Sequence, residues 1–475
     1  MLKPIWDSKS SQDFNANFDC YIAEALLREG KSIGTQQETM ANYHANNLDQ
    51  LALYQEELLN KNPKLKKLFY EIELPLAKVL FNMEQRGIYL DTKQLKIVGA
   101  KIEKLILDLE KKINNLTGGG LNINSPKQLG RFLVEKIGVP LGRTKTGKYA
   151  TNEGELSQFA DKFAIIPLIL SYRELTKLRS TYVESLISKV DGHYRIHTTY
   201  NQVYVNTGRL ASANPNLQNI PVSSPIGLEI KSCFAASDGY KLISFDYSQQ
   251  ELRILAHLAD ESELIKAFQH NQDVHSLTAS KLFNVAYDSV SKEQRAVGKT
   301  INFGIIYGMS SYGMSTGLHI SEANASQFIK NFYASYPSIK TYYDDYLKNA
   351  KINNAVETIL GRRRYVFDFP GQKFISNNSR RALMNYPIQG SAADLMKKAM
   401  VDVQNKILNK YSGVYLLLQI HDELVFEIHD NNQAKMMRLI KEITDVLCSV
   451  YTLAVPMEVE VKIGKRWGEL YPVIY

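Results

Sequence analysis

Cysteine is scarce. Cys20, Cys233 and Cys448 are the only three in 475 residues, an odd number and too widely spaced for a Cys-x-x-Cys zinc site, so no disulfide framework is expected and a reducing compartment is the simpler setting. Long apolar runs are missing as well: nowhere do eighteen apolar residues follow one another, and the opening MLKPIWDSKSSQDF has no apolar core of signal-peptide length. A cytoplasmic protein with no membrane partner is therefore expected. No His or Cys cluster marks a site for a soft metal. What is present is 44% hydrophobic and 22% charged residue, the composition of a globular protein, at a length for about two to four domain-sized units. Lys and Arg outnumber Asp and Glu by 57 to 49, a net +8, which points mildly to a polyanionic partner.

Residues 1–70 are rich in Asn and Gln, with short helical pieces at Tyr21 to Arg28 and Leu48 to Leu59 and no clear core pattern of their own; a small appended layer is expected. From Phe69 the pattern changes to long amphipathic helices. Leu74 to Gln85 is followed by a turn, Arg86 to Tyr89, and then by a helix from Asp91, as its cap, to about Leu116, where Gly118 to Gly120 stop it. Ser125 and Pro126 open another helix, with Pro in the first turn, where its missing N–H is not needed. Between Arg195 and Pro221 the chain turns strand-like and loop-rich. Composition alone makes Ser212 to Pro221 a polar loop, which is also where side chains are free to meet a ligand.

Three stretches carry chemistry. In KLISFDYSQQELRILAHLAD, from Lys241 to Asp260, Leu242, Ile243 and Phe245 form a short buried strand and Ser248 to Leu258 has helical apolar spacing, so Asp246 stands at a strand-to-helix junction. A single acid there more often caps the helix. In the second stretch Arg295, Lys299, Phe303 and Tyr307 recur every four residues and line one helix face: two cations, a ring, then a ring with a hydroxyl, the order in which a triphosphate tail, a sugar and a base would be met. A solvated basic helix end would explain the cations but not the glycines at 298, 304 and 308, each of which costs a helix up to ~1 kcal/mol relative to Ala. The third, LLLQIHDELVFEI from 416 to 428, places Gln419, His421, Asp422 and Glu423 between two apolar runs, a β-hairpin with a polar turn. Alone, an Asp-Glu turn is unremarkable.

Taken together and in order, these stretches resemble motif A, the O helix and motif C of the family A DNA polymerases, the DNA polymerase I type. The likeness covers about residues 70 to 475. It implies an α+β right-hand fold with thumb helices over 71–190, palm over 191–260 and 395–475 on an antiparallel sheet, and helical fingers over 261–394. It implies a DNA-directed DNA polymerase that acts as a monomer on primer-template DNA and deoxynucleoside triphosphates. Asp246 and Asp422, with the Tyr247 backbone, would hold two Mg²⁺ ions, with Mn²⁺ as a substitute. Such hard ions take oxygen ligands and stabilise both ends of an in-line phosphoryl transfer. Arg295 and Lys299 would bind the phosphates, Phe303 would stack near sugar and base, and Tyr307 would lie by the templating position. Gln249 and His275 would complete the nucleotide site.

Glu251 would lie under the sugar where a 2′-hydroxyl would need room, which argues against the rival reading, a single-subunit RNA polymerase. A catalytically silent DNA-binding protein would require loss of Asp246 or Asp422, and both are present. Arg209, Asn216, Gln218 and Asn219 match the palm segment that holds primer-template, where minor-groove acceptors report pair geometry rather than sequence. Asn385 and Gln389, in RRALMNYPIQGSAADLM, match further minor-groove and template contacts, His421 a contact to the primer terminus, and Lys177 and Arg179 phosphate contacts of the thumb. Glu423 would support the site. Gln250 departs from the aliphatic residue usual beside the sugar gate, and a buried amide there needs partners. Residues 1–70 resemble the end of a proofreading domain: Phe18 to Leu27 match a segment that follows its first two acidic motifs, and Tyr43 to Asn47 match its third with Asn47 in place of the carboxylate. A neutral amide cannot supply the charge that holds a divalent ion, so no proofreading and no 5′ nuclease are expected.

Overall fold

The computed structural model describes residues 2–144, 146–222, 224–366 and 377–473; within the range assigned to the fingers, positions 367–376 lie outside it. In the first half of the chain the helix boundaries follow local side chains. Asp91 accepts from the Gln94 amide and opens Thr92–Thr117 (α1), which Gly118 closes at φ 73°, a left-handed conformation glycine takes without strain. Ser125 caps Pro126–Glu135 (α2) in the same way. These helices and Ile165–Leu178 (α3) bury one apolar stripe each, with Leu95, Ile102, Leu129, Ile166 and Leu175 in a common core.

The remainder is organised on one sheet. Its central strand is Tyr240–Tyr247 (β1), followed by the helices Gln250–Leu258 (α4), Val274–Phe283 (α5), Lys292–Ile306 (α6) and Asn377–Val403 (α7). The hairpin Val414–Ile420 (β2) and Glu423–His429 (β3) comes next, then Val459–Gly464 (β4) and Tyr471–Pro472 (β5). The spatial order is β2-β3-β1-β4-β5, with every pairing antiparallel. Side chains alternate along β1: Ile243, Phe245 and Tyr247 enter the core shared with α4 to α7, and Leu242 on the other face joins the core of the helical unit. Ser244 and Asp246 share the face of Leu242.

The N-terminal layer differs from expectation. Residues 1–70 have a core of their own, in which Phe18, Cys20, Ile22, Leu51, Leu59 and Phe69 are buried together. A two-residue parallel ladder joins Pro4–Ile5 to Phe18–Asp19. Four of these residues lie on two short helices, Cys20–Leu27 and Leu48–Asn60, separated by a polar stretch, and Phe18 and Phe69 lie outside both, so no window of sequence contains enough of them to show a pattern. Asn47 caps the second helix by accepting from the Gln50 amide at 2.9 Å. Among the described residues no helix is long and apolar enough to cross a membrane.

Candidate active site

The sheet register assembles the acids. Asp246, near the end of β1, is directly opposite Glu423 on β3 and Glu460 on β4, so three carboxylates stand in one row on one face. Asp422 joins them from the β2–β3 turn. His421, at φ 52°, makes that turn tight, and the Asp422 carbonyl accepts from the Tyr247 amide at 3.0 Å, pinning the hairpin tip to the end of β1. Glu423 is held to the sheet by the Ser244 hydroxyl and by the Trp467 indole N–H at 3.3 Å.

This crowding shows in the acidities. Burial, then Glu423 and Asp422, push the Asp246 carboxyl up to about 6, with Lys462 opposing. Asp422 is raised by burial against the pull of Arg209 and His421. Glu251, in the first turn of α4, is raised by burial and pulled down by Arg209, whose guanidinium lies 2.6 Å from its Oε1. Burial, then the nearby Glu251 carboxylate, push the Tyr307 hydroxyl up to about 12, so the end of α6 stands beside the palm.

α6 is opened by a capping box, Ser291 with Gln294. Arg295, Lys299 and Tyr307 are exposed along one face with Phe303 half-buried between them, and Phe303 and Tyr307 stack at 6.3 Å and 18°. Arg295 is ion-paired to Asp273. The helix glycines have packing reasons. A Cβ on Gly298 would collide with the His275 carbonyl where α5 and α6 approach, and Gly308 takes φ 59° as the chain leaves the helix. His275 lies beneath this face rather than on it: only 3% exposed, it bonds Asn302 at 3.0 Å and packs against Phe303 at 5.9 Å. Burial drives its pKa down to about 4, so it is a neutral support for the Phe303 ring.

The expected DNA contacts divide. Arg209, Gln218, His421 and Asp422 line one cavity of about 30 Å³, enough for a water and no more. Gln218 donates to Gln419 at 3.0 Å, and Gln419 to the His421 carbonyl at 2.6 Å. Asn216 accepts from the Gln218 amide, and the Asn219 carbonyl accepts from the Tyr182 hydroxyl. Asn385 and Gln389 are one turn apart on α7. Lys177 and Arg179 lie at the end of α3, exposed or nearly so, on the separate helical unit, and Arg179 is 3.3 Å from Glu184. Sequence reasoning named Gln419 without giving it a role and missed Tyr200, whose hydroxyl accepts from the Gln419 amide at 3.0 Å. Gln419 alone had a signal, a polar residue inside the apolar run of β2. Gln250 is 1% exposed and neither polar atom of its side chain has a partner; Gln249, at φ 51°, caps α4 with its side-chain oxygen likewise unpaired.

Comparison with known proteins places these features in a group. Residues 92–469 match DNA polymerase family A. The chain is 39% identical over 450 residues to DNA polymerase I of Geobacillus stearothermophilus, covering 94% of this chain and 49% of that protein. It is 41% identical over 413 residues to the thermostable DNA polymerase I of Thermus aquaticus, covering 86% and 49%. It therefore spans about half the length of the curated relatives it matches. Among solved structures, the POL domain of Pol1 from M. smegmatis, in complex with DNA primer-template and dNTP, superposes with a TM-score of 0.89 at 33% identity, covering 95% of this chain and 82% of that one.

Proposed function

The chain belongs to DNA polymerase family A, and from that premise we propose that it is a template-directed DNA polymerase that adds deoxynucleotides to a primer 3′-hydroxyl. The observation that carries the reading is the row of acids at the end of β1, with Asp422 pinned beside it and the exposed cationic and aromatic face of α6 ending at Tyr307 near Glu251. The primer 3′-hydroxyl gives its proton to water as its oxygen forms a bond to the α-phosphorus, the bond from that phosphorus to the bridging oxygen of the β-phosphate breaks, and pyrophosphate leaves.

The Asp246 and Asp422 carboxylates suit a divalent cation as a pair, because its charge would offset the burial and then the repulsion that raise Asp246, though among the described residues no group of three or more ligands converges. Asp246, Asp422 and the Tyr247 carbonyl would hold Mg²⁺, or Mn²⁺ in its place. When bound, two such ions supply charge stabilisation at the attacking and leaving oxygens. Arg295 and Lys299 take the phosphate tail, Arg295 leaving Asp273 to do so, and their fixed charge favours the departing pyrophosphate. Phe303 covers sugar and base, with His275 keeping the ring in place. Glu251 fills the space of a 2′-hydroxyl. Arg209, now paired with Glu251, is the group that reaches the minor-groove edge of the terminal pair, beside Gln218 and His421. Asn216, Asn219, Asn385 and Gln389 hold primer-template, and Lys177 and Arg179 grip phosphates farther back. Proofreading is absent from this reading, supported by Asn47 serving as a helix cap.

Primer extension with dNTP or NTP in Mg²⁺ tests the proposal. Extension with dNTP and little with NTP is the expected result. Equal use of both would remove Glu251 from its role, and no extension would remove the polymerase reading.

A further inference from the structure

The N-terminal layer borders a cavity. The cavity, about 760 Å³ in volume, lies where residues 30–33 of that layer face the loop 202–207 and the strand Arg363–Tyr365, within the ~300–1,000 Å³ of ligand sites. Its chemistry is basic and aromatic. The Lys31 ammonium stands 4.2 Å over the Tyr365 ring, Arg363 lines the wall 3.1 Å from Glu29, and Tyr204 at the rim is 77% exposed. Thr207, also in the wall, has a buried hydroxyl without a partner among the described residues. The walls are fixed to one another, since the Tyr365 amide donates to the Glu29 carbonyl at 2.7 Å. Its Thr207 wall lies against α7 beside Gln389, since a Cβ on Gly390 would come within 3.3 Å of the Thr207 carbonyl.

A large exposed ring beside cations is the pattern that takes single-stranded nucleic acid, the ring stacking a base and the cations following the backbone. If the chain extends primers as proposed above, on which this inference rests, everything behind the insertion position is duplex. The unpaired strand within reach is template not yet copied. We propose that this cavity receives the unpaired template strand, with Tyr204 as the stacking platform and Lys31 and Arg363 as phosphate contacts, so that the N-terminal layer forms part of the DNA site.

The test is the full chain against its Lys31→Ala/Tyr204→Ala variant, both changes being at exposed positions outside the catalytic machinery. Binding and extension are measured on two primer-templates, one with a single unpaired template nucleotide and one with about ten, a length typical of single-strand sites. The inference expects the unaltered chain to bind the long overhang on the order of tenfold more tightly than the short one. The variant should lose that preference while extending the short template at the unaltered rate. A photoreactive thymine analogue in the overhang should crosslink to the peptide holding Tyr204. Equal affinities for both templates in the unaltered chain, or a preference the variant keeps, overturns the inference with polymerase activity intact. No extension by the unaltered chain overturns the polymerase reading instead.

Discussion

Two groups of acids in this molecule, one part-buried and one fully buried, are treated in different ways. At the end of β1, Asp246 faces Glu423 and Glu460 across the sheet with Asp422 beside it, and its carboxyl rises to about 6. Where the N-terminal layer meets α7, Glu73 and Asp394 are buried more deeply, at 1% and 0% exposure, but with cations built in. Lys397 lies 2.7 Å from Glu73, Arg362 is paired with Glu73 and lies 2.7 Å from Asp394, and Gln202 and Thr358 supply further hydrogen bonds. Burial raises Glu73, yet Lys397 and Arg362 outweigh it and hold it at about 2. Depth of burial alone therefore does not decide whether an acid is charged. Counter-charge matters as well: two cations hold Glu73 low, burial outweighs Arg362 and Lys397 at Asp394, and the β1 group, with Lys462 and Arg209 only partly offsetting it, has a place for charge from outside.

The largest effect should come from breaking the compensated group. Lys397→Met leaves Glu73 short of a partner and should destabilise the fold by ~3–5 kcal/mol, the usual result of removing one side of a buried pair; denaturant unfolding measures it. Asp246→Ala and Asp422→Ala should do the reverse, cutting extension by at least ~100-fold with melting temperature unchanged or higher and primer-template affinity nearly constant. Near-normal turnover in either variant would remove these residues from the metal site.

The comparison sharpens with pH. Asp246 has a folded pKa above its ordinary 3.8, so the stability it contributes is complete at low pH and is lost as pH rises through about 6. Glu73 lies below its ordinary 4.5, so its contribution is present above that value and lost as pH falls towards about 2. Without divalent ions, the unaltered chain should lose on the order of 1 kcal/mol relative to Asp246→Asn between about pH 4 and 7, discounted for the openness of the site. Added Mg²⁺ should restore it in the unaltered chain alone. Smallest is Gln250→Ile, which removes an unpartnered buried amide and should stabilise by ~1 kcal/mol while changing ribonucleotide use and misincorporation. No change in either selectivity would make the departure at Gln250 silent.

Local rules and motif wording were enough for much of this. The caps at Asp91 and Ser125, the stop at Gly118, the strand and helix on either side of Asp246, and the hairpin around Asp422 follow from neighbours within a few positions, because capping and side-chain periodicity are short-range effects. The cationic and aromatic order along α6 follows from four-residue spacing. What the sequence left hidden depends on residues distant in the chain. Glu460 enters the acid row only through the register of β4 on β1. Tyr200 and Gln419 meet only when the hairpin docks. His275 could not be placed beneath Phe303 without the approach of α5 to α6 at Gly298. The core of residues 1–70, the Glu73 network and the cavity at Lys31 and Tyr204 are likewise products of docking, since burial and counter-charge are properties of what surrounds a side chain in space. The sequence by itself determined which groups were available and how each short element would form. Tertiary structure alone decided which acids would crowd together at an open strand end and which would be enclosed with cations.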